Sequence, residues 1–396
     1  MNHVPAVLGG LPAFPEGLPL VRPWIPDQPR LLVALSEVVA SGALTNGVTV
    51  RRLETAVAAR LGVEHVVAVS SCTLGLALVY QALGVRGEVV LPSFTFAASA
   101  HAVHWAGGTP RWGDVEEERL TLDPVDAATV VDERTVAISA THIYGAPCHV
   151  EELEALAREA GVPLVFDAAH GLGSVHDGVP VGRFGTAEVF SLSPTKVLVA
   201  GEGGLVATAD GDLAERIRLA RDYGNPGNYN CRFPGLNARM SELHAATALH
   251  NLDHLDAAVG RRNELVRLFA ARVQGTPGLR LQAVDPRDVS TYKDLTVVLD
   301  PEVTGLDLAT VAGGLAAEGI DTRRYYHPPI HRQDAYAGSA ERALPSTDRL
   351  ARQAITLPLW SHMTDDQVLR SADALLRLLA SAEEIGVPPP VGARAS

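Results

Sequence analysis

Lysine is scarce in this chain: Lys196 and Lys293 are the only two among 33 basic residues, and the others are arginines. Lys196 stands in F-S-L-S-P-T-K-V-L-V-A-G-E-G-G, an apolar run followed by a proline-bearing turn and a glycine cluster. Arginine serves equally well for solubility, ion pairing or anion binding. Only an amine can lose its proton and form a Schiff base with an aldehyde. A genome that favours arginine would also leave an isolated lysine by chance, so the surrounding residues must decide between the two readings.

Three further groups point to chemistry. In PLVFDAAHGLGS, Asp167 follows directly on an apolar run, where a carboxylate is costly unless something positive meets it. A protonated pyridine nitrogen would meet it, and His170 lies three residues on, within range of the same ring. Asp167 as the cap of a following helix is the plainer alternative. The run Ser70-Ser71-Cys72-Thr73-Leu74-Gly75 ends another apolar segment with hydroxyls and the first N–H groups of a helix, which can cradle a phosphate or simply cap the helix. In P-S-F-T-F, Phe94 reads as core, whereas Phe96 could lie over a flat heteroaromatic ring. Ser191 and Ser193 lead up to Lys196.

The elements that position these groups follow from periodicity. Short β-branched runs at 65–70, 88–93, 135–142, 163–169, 187–193 and 203–209 alternate with Ala/Leu-rich helical stretches. The expected fold class is α/β, a mostly parallel sheet between helices, with ligands gathered beyond the carboxyl ends of the strands. Two amphipathic segments between 30 and 62 are split by S-G-A-L-T-N-G, and a Gly/Asn/Pro-rich loop at 223–238 leads into a helical region to about 273. After it, Y-K-D-L-T-V-V-L-D reads as strand, 306–318 as helix, I-D-T-R-R-Y-Y as strand and 364–384 as a terminal helix. The expected units are an N-terminal arm (1–28), a large domain (29–270), a smaller C-terminal α/β domain (271–385) and a disordered tail (386–396).

Composition narrows the function classes. A net charge of −13 argues against nucleic acid or an anionic membrane as partner, so an anionic ligand needs a local cationic cluster. No stretch is apolar enough to span a bilayer. Three cysteines and 14 histidines show no metal-ligand spacing, so no metal is assigned and a reducing, cytoplasmic setting is expected.

Taken in order, the phosphate turn, ring stacker, carboxylate and amine resemble the DegT/StrS-type sugar aminotransferases, which have the fold type I architecture of pyridoxal-phosphate enzymes. S-G-A-L-T-N-G, S-S-C-T-L-G-L, L-P-S-F-T-F, F-D-A-A-H, S-P-T-K with G-E-G-G, G-L-N-A-R-M-S-E-L-H-A-A and R-Y-Y-H-P-P-I-H all follow the family's pattern in register. The resemblance implies pyridoxal 5'-phosphate as cofactor, with Lys196 carrying the Schiff base and shuttling the proton. It places Asp167 at the ring nitrogen, His170 near the phenolic oxygen and Phe96 on the ring face. Thr73, the backbone of Leu74 and Ser191 would hold the phosphate. Asn237 would reach the other subunit's cofactor, giving a homodimer with two shared sites. Arg239, Tyr325 and His331 become candidates for the substrate side.

Departures bear on the substrate. Cys72 replaces a small residue in the phosphate turn, and S-T-Y-K-D-L stands where many relatives have a His followed by an aromatic residue. Lys293 is therefore read either as a contact for a phosphate or carboxylate of the substrate or as a solvated lysine. The expected reaction moves an amino group from an amino acid, L-glutamate by preference, to a nucleotide-linked keto-deoxysugar, at C4 by the look of the N-terminal G-G-L-P-A-F-P-E stretch. The setting expected is specialised-metabolite (antibiotic) sugar biosynthesis. A keto-cyclitol or other small ketone is the close alternative. A family dehydratase would replace the lysine with histidine, and a regulator on a dead scaffold would be expected to lose Lys196 or Asp167.

Overall fold

The computed structural model describes residues 4–385, so the tail expected at 386–396 lies outside the described residues. The strands in chain order are β1 (His65–Val69), β2 (Glu88–Pro92), β3 (Thr109–Gly113), β4 (Thr135–Thr141), β5 (Leu164–Asp167), β6 (Val175–His176), β7 (Val179–Pro180), β8 (Ala187–Ser191), β9 (Gly204–Thr208), β10 (Leu279–Leu281), β11 (Leu295–Leu299) and β12 (Ala354–Leu357). Seven form one sheet in the order β1-β9-β8-β5-β4-β2-β3, in which only β9 runs antiparallel to its neighbours. Valine-rich strands buried on both faces explain the continuous apolar runs in the sequence. Strand β3, T-P-R-W-G, carries a proline and a glycine. It is tolerated because it is an edge strand, where a missing N–H costs no ladder bond.

Helices cover the sheet and start where short polar side chains can accept from free N–H groups. Ser71 caps Cys72–Ala82 by accepting from Leu74 N at 3.2 Å, and Asp210 and Ser241 do the same for Gly211–Ala220 and Glu242–Leu252. S-G-A-L-T-N-G separates the helices Gln28–Ser41 and Val48–Leu61. The helical region expected from 239 to 273 is two helices, Glu242–Leu252 and Leu255–Val273.

A second sheet, β10-β11-β12, is antiparallel and packs with Leu308–Ala317 and Asp365–Ala380 around Trp360, Phe269 and Leu375. The expected strand I-D-T-R-R-Y-Y does not form. It meets the sheet only through an isolated Arg323–Thr356 bridge at the free edge of β12. The N-terminal arm packs on this smaller layer. Phe14 joins its core, and the buried Glu318 carboxylate accepts from Ala6 N at 3.0 Å and Ala13 N at 2.7 Å. Among the described residues no helix is long and apolar enough to cross a membrane.

Candidate active site

The carboxyl ends of the parallel strands and the start of β9 meet at one edge of the large sheet. Register fixes this: Thr141 pairs with Asp167, and Gly204 pairs with both Val69 and Ser191. Gly204 is required by close approach, since a Cβ there would lie 2.6 Å from the backbone of Ser71 and Cys72. A cavity of about 330 Å³ opens over this edge. Its walls bring together Thr73, Phe96, Asp167, His170, Ser191, Lys196, Lys293 and Tyr325.

Lys196 sits on an excursion between β8 and β9 that is closed by Leu192 N to Gly203 O at 2.9 Å and Ala200 N to Leu192 O at 2.8 Å. Burial first, and the like charge of Lys293 second, bring its amine down to about 8. Asp167 ends β5 and is buried. Its Oδ2 accepts from the Ser99 hydroxyl at 2.6 Å and its Oδ1 from Ala169 N at 3.1 Å. The Cys72 Sγ lies 3.9 Å from Oδ1, and burial followed by the Asp167 charge pushes that thiol well up, so it stays neutral.

His170 Nδ1 accepts from Tyr144 N at 3.0 Å, which leaves Nε2 as the protonated nitrogen of a neutral ring. Burial, then Lys196 and Lys293, hold its pKa well below the usual range. Phe96 keeps 60% of its surface exposed within a cavity wall, an open aromatic face, whereas Phe94 is buried in the core. Ser71, Thr73, Ser191, Ser193 and Thr195 put hydroxyls around the N-terminus of the helix Cys72–Ala82.

Not every sequence candidate reaches this cavity. The Leu74 N–H is taken by its cap, Ser71. Asn237 is exposed at the end of the 223–238 loop, away from the cavity of its own chain. Arg239 is ion-paired with Asp222 and lies 5.4 Å from the Tyr223 ring centroid. His331 is buried outside the cavity, its Nδ1 at 2.7 Å from the Ser93 hydroxyl and its Nε2 at 3.3 Å from Asp348. It fastens the segment after Tyr325 and Tyr326 to the residue that follows β2. Lys293 is not a solvated lysine: it is 4% exposed and faces the cavity. Sequence reasoning singled out none of Ser99, Thr95, Thr141, Thr195, Glu202 and Tyr326. Ser99 had a signal in its spacing, a hydroxyl one helical turn beyond Phe96, and Glu202 and Tyr326 stood inside quoted motifs.

An amine with a lowered pKa, a fixed carboxylate, a neutral imidazole and an open aromatic face define a Schiff-base enzyme site, with a hydroxyl-rich helix N-terminus suited to a phosphate. The family model for DegT/DnrJ/EryC1/StrS aminotransferases matches residues 27–376, and the chain belongs to that family. A dTDP-3-amino-3,4,6-trideoxy-alpha-D-glucose transaminase from Streptomyces venezuelae is 35% identical, the match covering 86% of this chain and 90% of the relative. The crystal structure of DesI in the presence of its TDP-sugar product is similar at 39% identity and a TM-score of 0.89, covering 95% of this chain and 96% of that one. The structure of S. venezuelae DesV with a ketimine intermediate is similar at 33% identity and a TM-score of 0.85, covering 92% and 99%. The chain is a pyridoxal-phosphate-dependent aminotransferase of the fold type I architecture, with nucleotide-sugar aminotransferases as its relatives. The residues present fit that cofactor: the donors at the helix start suit a phosphate, and the Asp167 carboxylate suits a protonated ring nitrogen.

Proposed function

We propose that this protein moves an amino group from L-glutamate to C4 of a nucleotide-linked keto-deoxysugar in specialised metabolism, with two sites shared across a homodimer. The observation that carries the reading is the single cavity holding Lys196, Asp167 and His170 together in a chain so similar to DesI, whose structure was determined with a TDP-sugar product.

When bound, pyridoxal phosphate supplies an aldehyde that exchanges imines and a ring that withdraws electrons. The chain's residues do the rest. Ser71, Thr73 and Ser191 hold the phosphate with the helix N-terminus. Asp167, fixed by Ser99 and Ala169 N, keeps a proton on the ring nitrogen through its negative charge. His170 donates from Nε2 to an oxygen on the ring. Phe96 covers one face of the ring. Lys196 Nζ takes a proton from the donor's α-carbon and returns one to the acceptor's carbon, which an amine near pKa 8 can do in both directions.

Assembly is supported by surface chemistry. The helix Gln28–Ser41 leaves Leu32, Val33 and Val39 exposed, with Val48 exposed at the start of the next helix. Asn237 and the 93% exposed Tyr229 stand on the exposed 223–238 loop, available to a second copy. The transaminase from Streptomyces venezuelae described above is named for a 3-amino sugar, so the carbon must be read directly. Purified enzyme with L-glutamate and a panel of nucleotide-linked 3-keto and 4-keto sugars, its products assigned by NMR, tests the proposal. A C3 amine, or turnover only with keto-cyclitols, overturns it.

A further inference from the structure

Two cations, and no arginine, line the cavity among the described residues: Lys196 and Lys293. Lys293 is held as though its charge has to be placed rather than offered. Its Nζ donates to both carboxylate oxygens of Asp294, at 2.8 Å and 2.9 Å, and lies 5.3 Å from the Tyr325 ring centroid. The segment that carries it is pinned. Thr291 Oγ1 donates to His170 O at 2.6 Å, and Thr291 N to Ser174 Oγ at 3.2 Å. A Cβ on Gly145 would come within 2.0 Å of Thr291 Oγ1, so the turn after β4 and the segment are in contact. Arg262 Nη1 donates to the backbone carbonyls of Tyr292 and Lys293 at 2.9 Å and 3.2 Å. A buried pair fixed on so many sides costs desolvation without adding much stability, which leaves a functional reason for keeping it.

We propose that the Lys293–Asp294 pair is a positioning pair for Lys196: Asp294 fixes Lys293 as a second cation in the cavity that holds the reactive amine. The pair acts on the reactive amine through space, with its own two charged groups bonded to each other. The inference rests on Lys196 being the imine lysine. The other charged or titratable groups around Lys196 are Asp167 and Cys72 on the sheet side, His170 beside them, Glu202 on the β8–β9 excursion and the phenols of Tyr325 and Tyr326 on the opposite wall. Burial and Lys293 lower the amine, whereas Asp294, Cys72 and Asp167 raise it.

The composition makes the test direct, since a chain with two lysines gives two lysine signals. Full-length protein is labelled with 13C at lysine Cε and loaded with pyridoxamine phosphate, which leaves the Lys196 amine free. Each signal is then followed by NMR against pH. In Lys293→Met the Lys196 midpoint should rise by about one pH unit or more. In Asp294→Asn it should fall, and in Lys293→Arg, which keeps the charge, it should stay in place. An unmoved midpoint in Asp294→Asn, or a shift in Lys293→Arg as large as in Lys293→Met, overturns the proposal. If Lys293→Met does not fold, Asp294→Asn and Lys293→Arg decide the matter alone. Failure of the underlying assignment looks different: borohydride reduction of the pyridoxal-phosphate form would then leave the cofactor off the Lys196 peptide, whatever the NMR midpoints do.

Discussion

The two walls of the cavity are built differently. On the sheet side, each functional group sits at or just after a strand end: Ser71 after β1, Phe96 after β2, Asp167 on β5, Ser191 on β8. On the other side, Lys293, Tyr325 and Tyr326 come from irregular segments around β11 and from the turn after the Arg323–Thr356 bridge. A parallel sheet places its carboxyl ends at one edge whatever the loops do, so the sheet wall follows from topology. The opposite wall exists only through packing of the smaller layer on the larger. The sheet wall should therefore carry the cofactor chemistry, and the packed wall its tuning and specificity.

The largest effect expected is on the sheet wall. Lys196→Arg keeps a cation of similar length but cannot form an imine or release a proton, so turnover should drop by at least about 10⁴-fold while the fold persists. Circular dichroism and single-turnover assays check it together. Substantial transamination by that variant would remove Lys196 from the mechanism. Asp167→Asn should still bind cofactor and lose roughly 10²-fold or more, because the amide cannot keep the ring nitrogen protonated. A loss below about tenfold would leave Asp167 as a helix cap only.

Ser99→Ala sharpens the same wall. It removes the 2.6 Å bond to Asp167 Oδ2 from a buried carboxylate, so an intermediate loss of about tenfold is expected in kcat with cofactor still bound. His331→Phe probes the far side, where the contact is with Ser93 and Asp348 rather than the cavity. It should lower the melting temperature by several degrees and leave KM for both substrates in place. A KM effect without a stability effect would return His331 to the substrate site.

The contrast also explains what could be read from the sequence. Six of the large sheet's seven strands, and the gathering of Asp167 and Lys196 in one cavity, followed from β-branched runs and the residues that end them. Strand β3 was missed because T-P-R-W-G has poor strand propensity, and only its edge position permits it. I-D-T-R-R-Y-Y looked like a strand by composition, but it makes only the single Arg323–Thr356 bridge to the free edge of A-I-T-L. Arg239 and His331 have the right residue types near the right motifs. Their partners, Asp222 and Ser93, lie far apart in sequence from them or across a loop, and no periodicity announces such contacts. The role of Ser99 was hidden for the same reason.

The smallest effect concerns stability, and it tests the cavity's electrostatics without turnover. An unfolded lysine titrates near 10.4, whereas burial and Lys293 hold Lys196 at about 8 in the folded chain. Between those values the unfolded chain binds more protons than the folded one, so stability rises with pH across the window from about 8 to about 10.4. Below pH 8 the whole penalty is present, and above the window it is gone. Lys196 is partly accessible from the cavity, so solvent screening trims the penalty to roughly 1–3 kcal/mol. Cofactor-free Lys196→Met should therefore melt a few degrees higher than the parent at pH 7, and the advantage should shrink steadily as the pH is raised through the window. Any gain from the added apolar side chain is constant with pH, so the slope of the difference isolates the charge. A difference that stays flat from pH 7 to 10 would mean that the amine is protonated in the folded chain as readily as in water, and the site would then lack the means to make Lys196 a nucleophile at neutral pH.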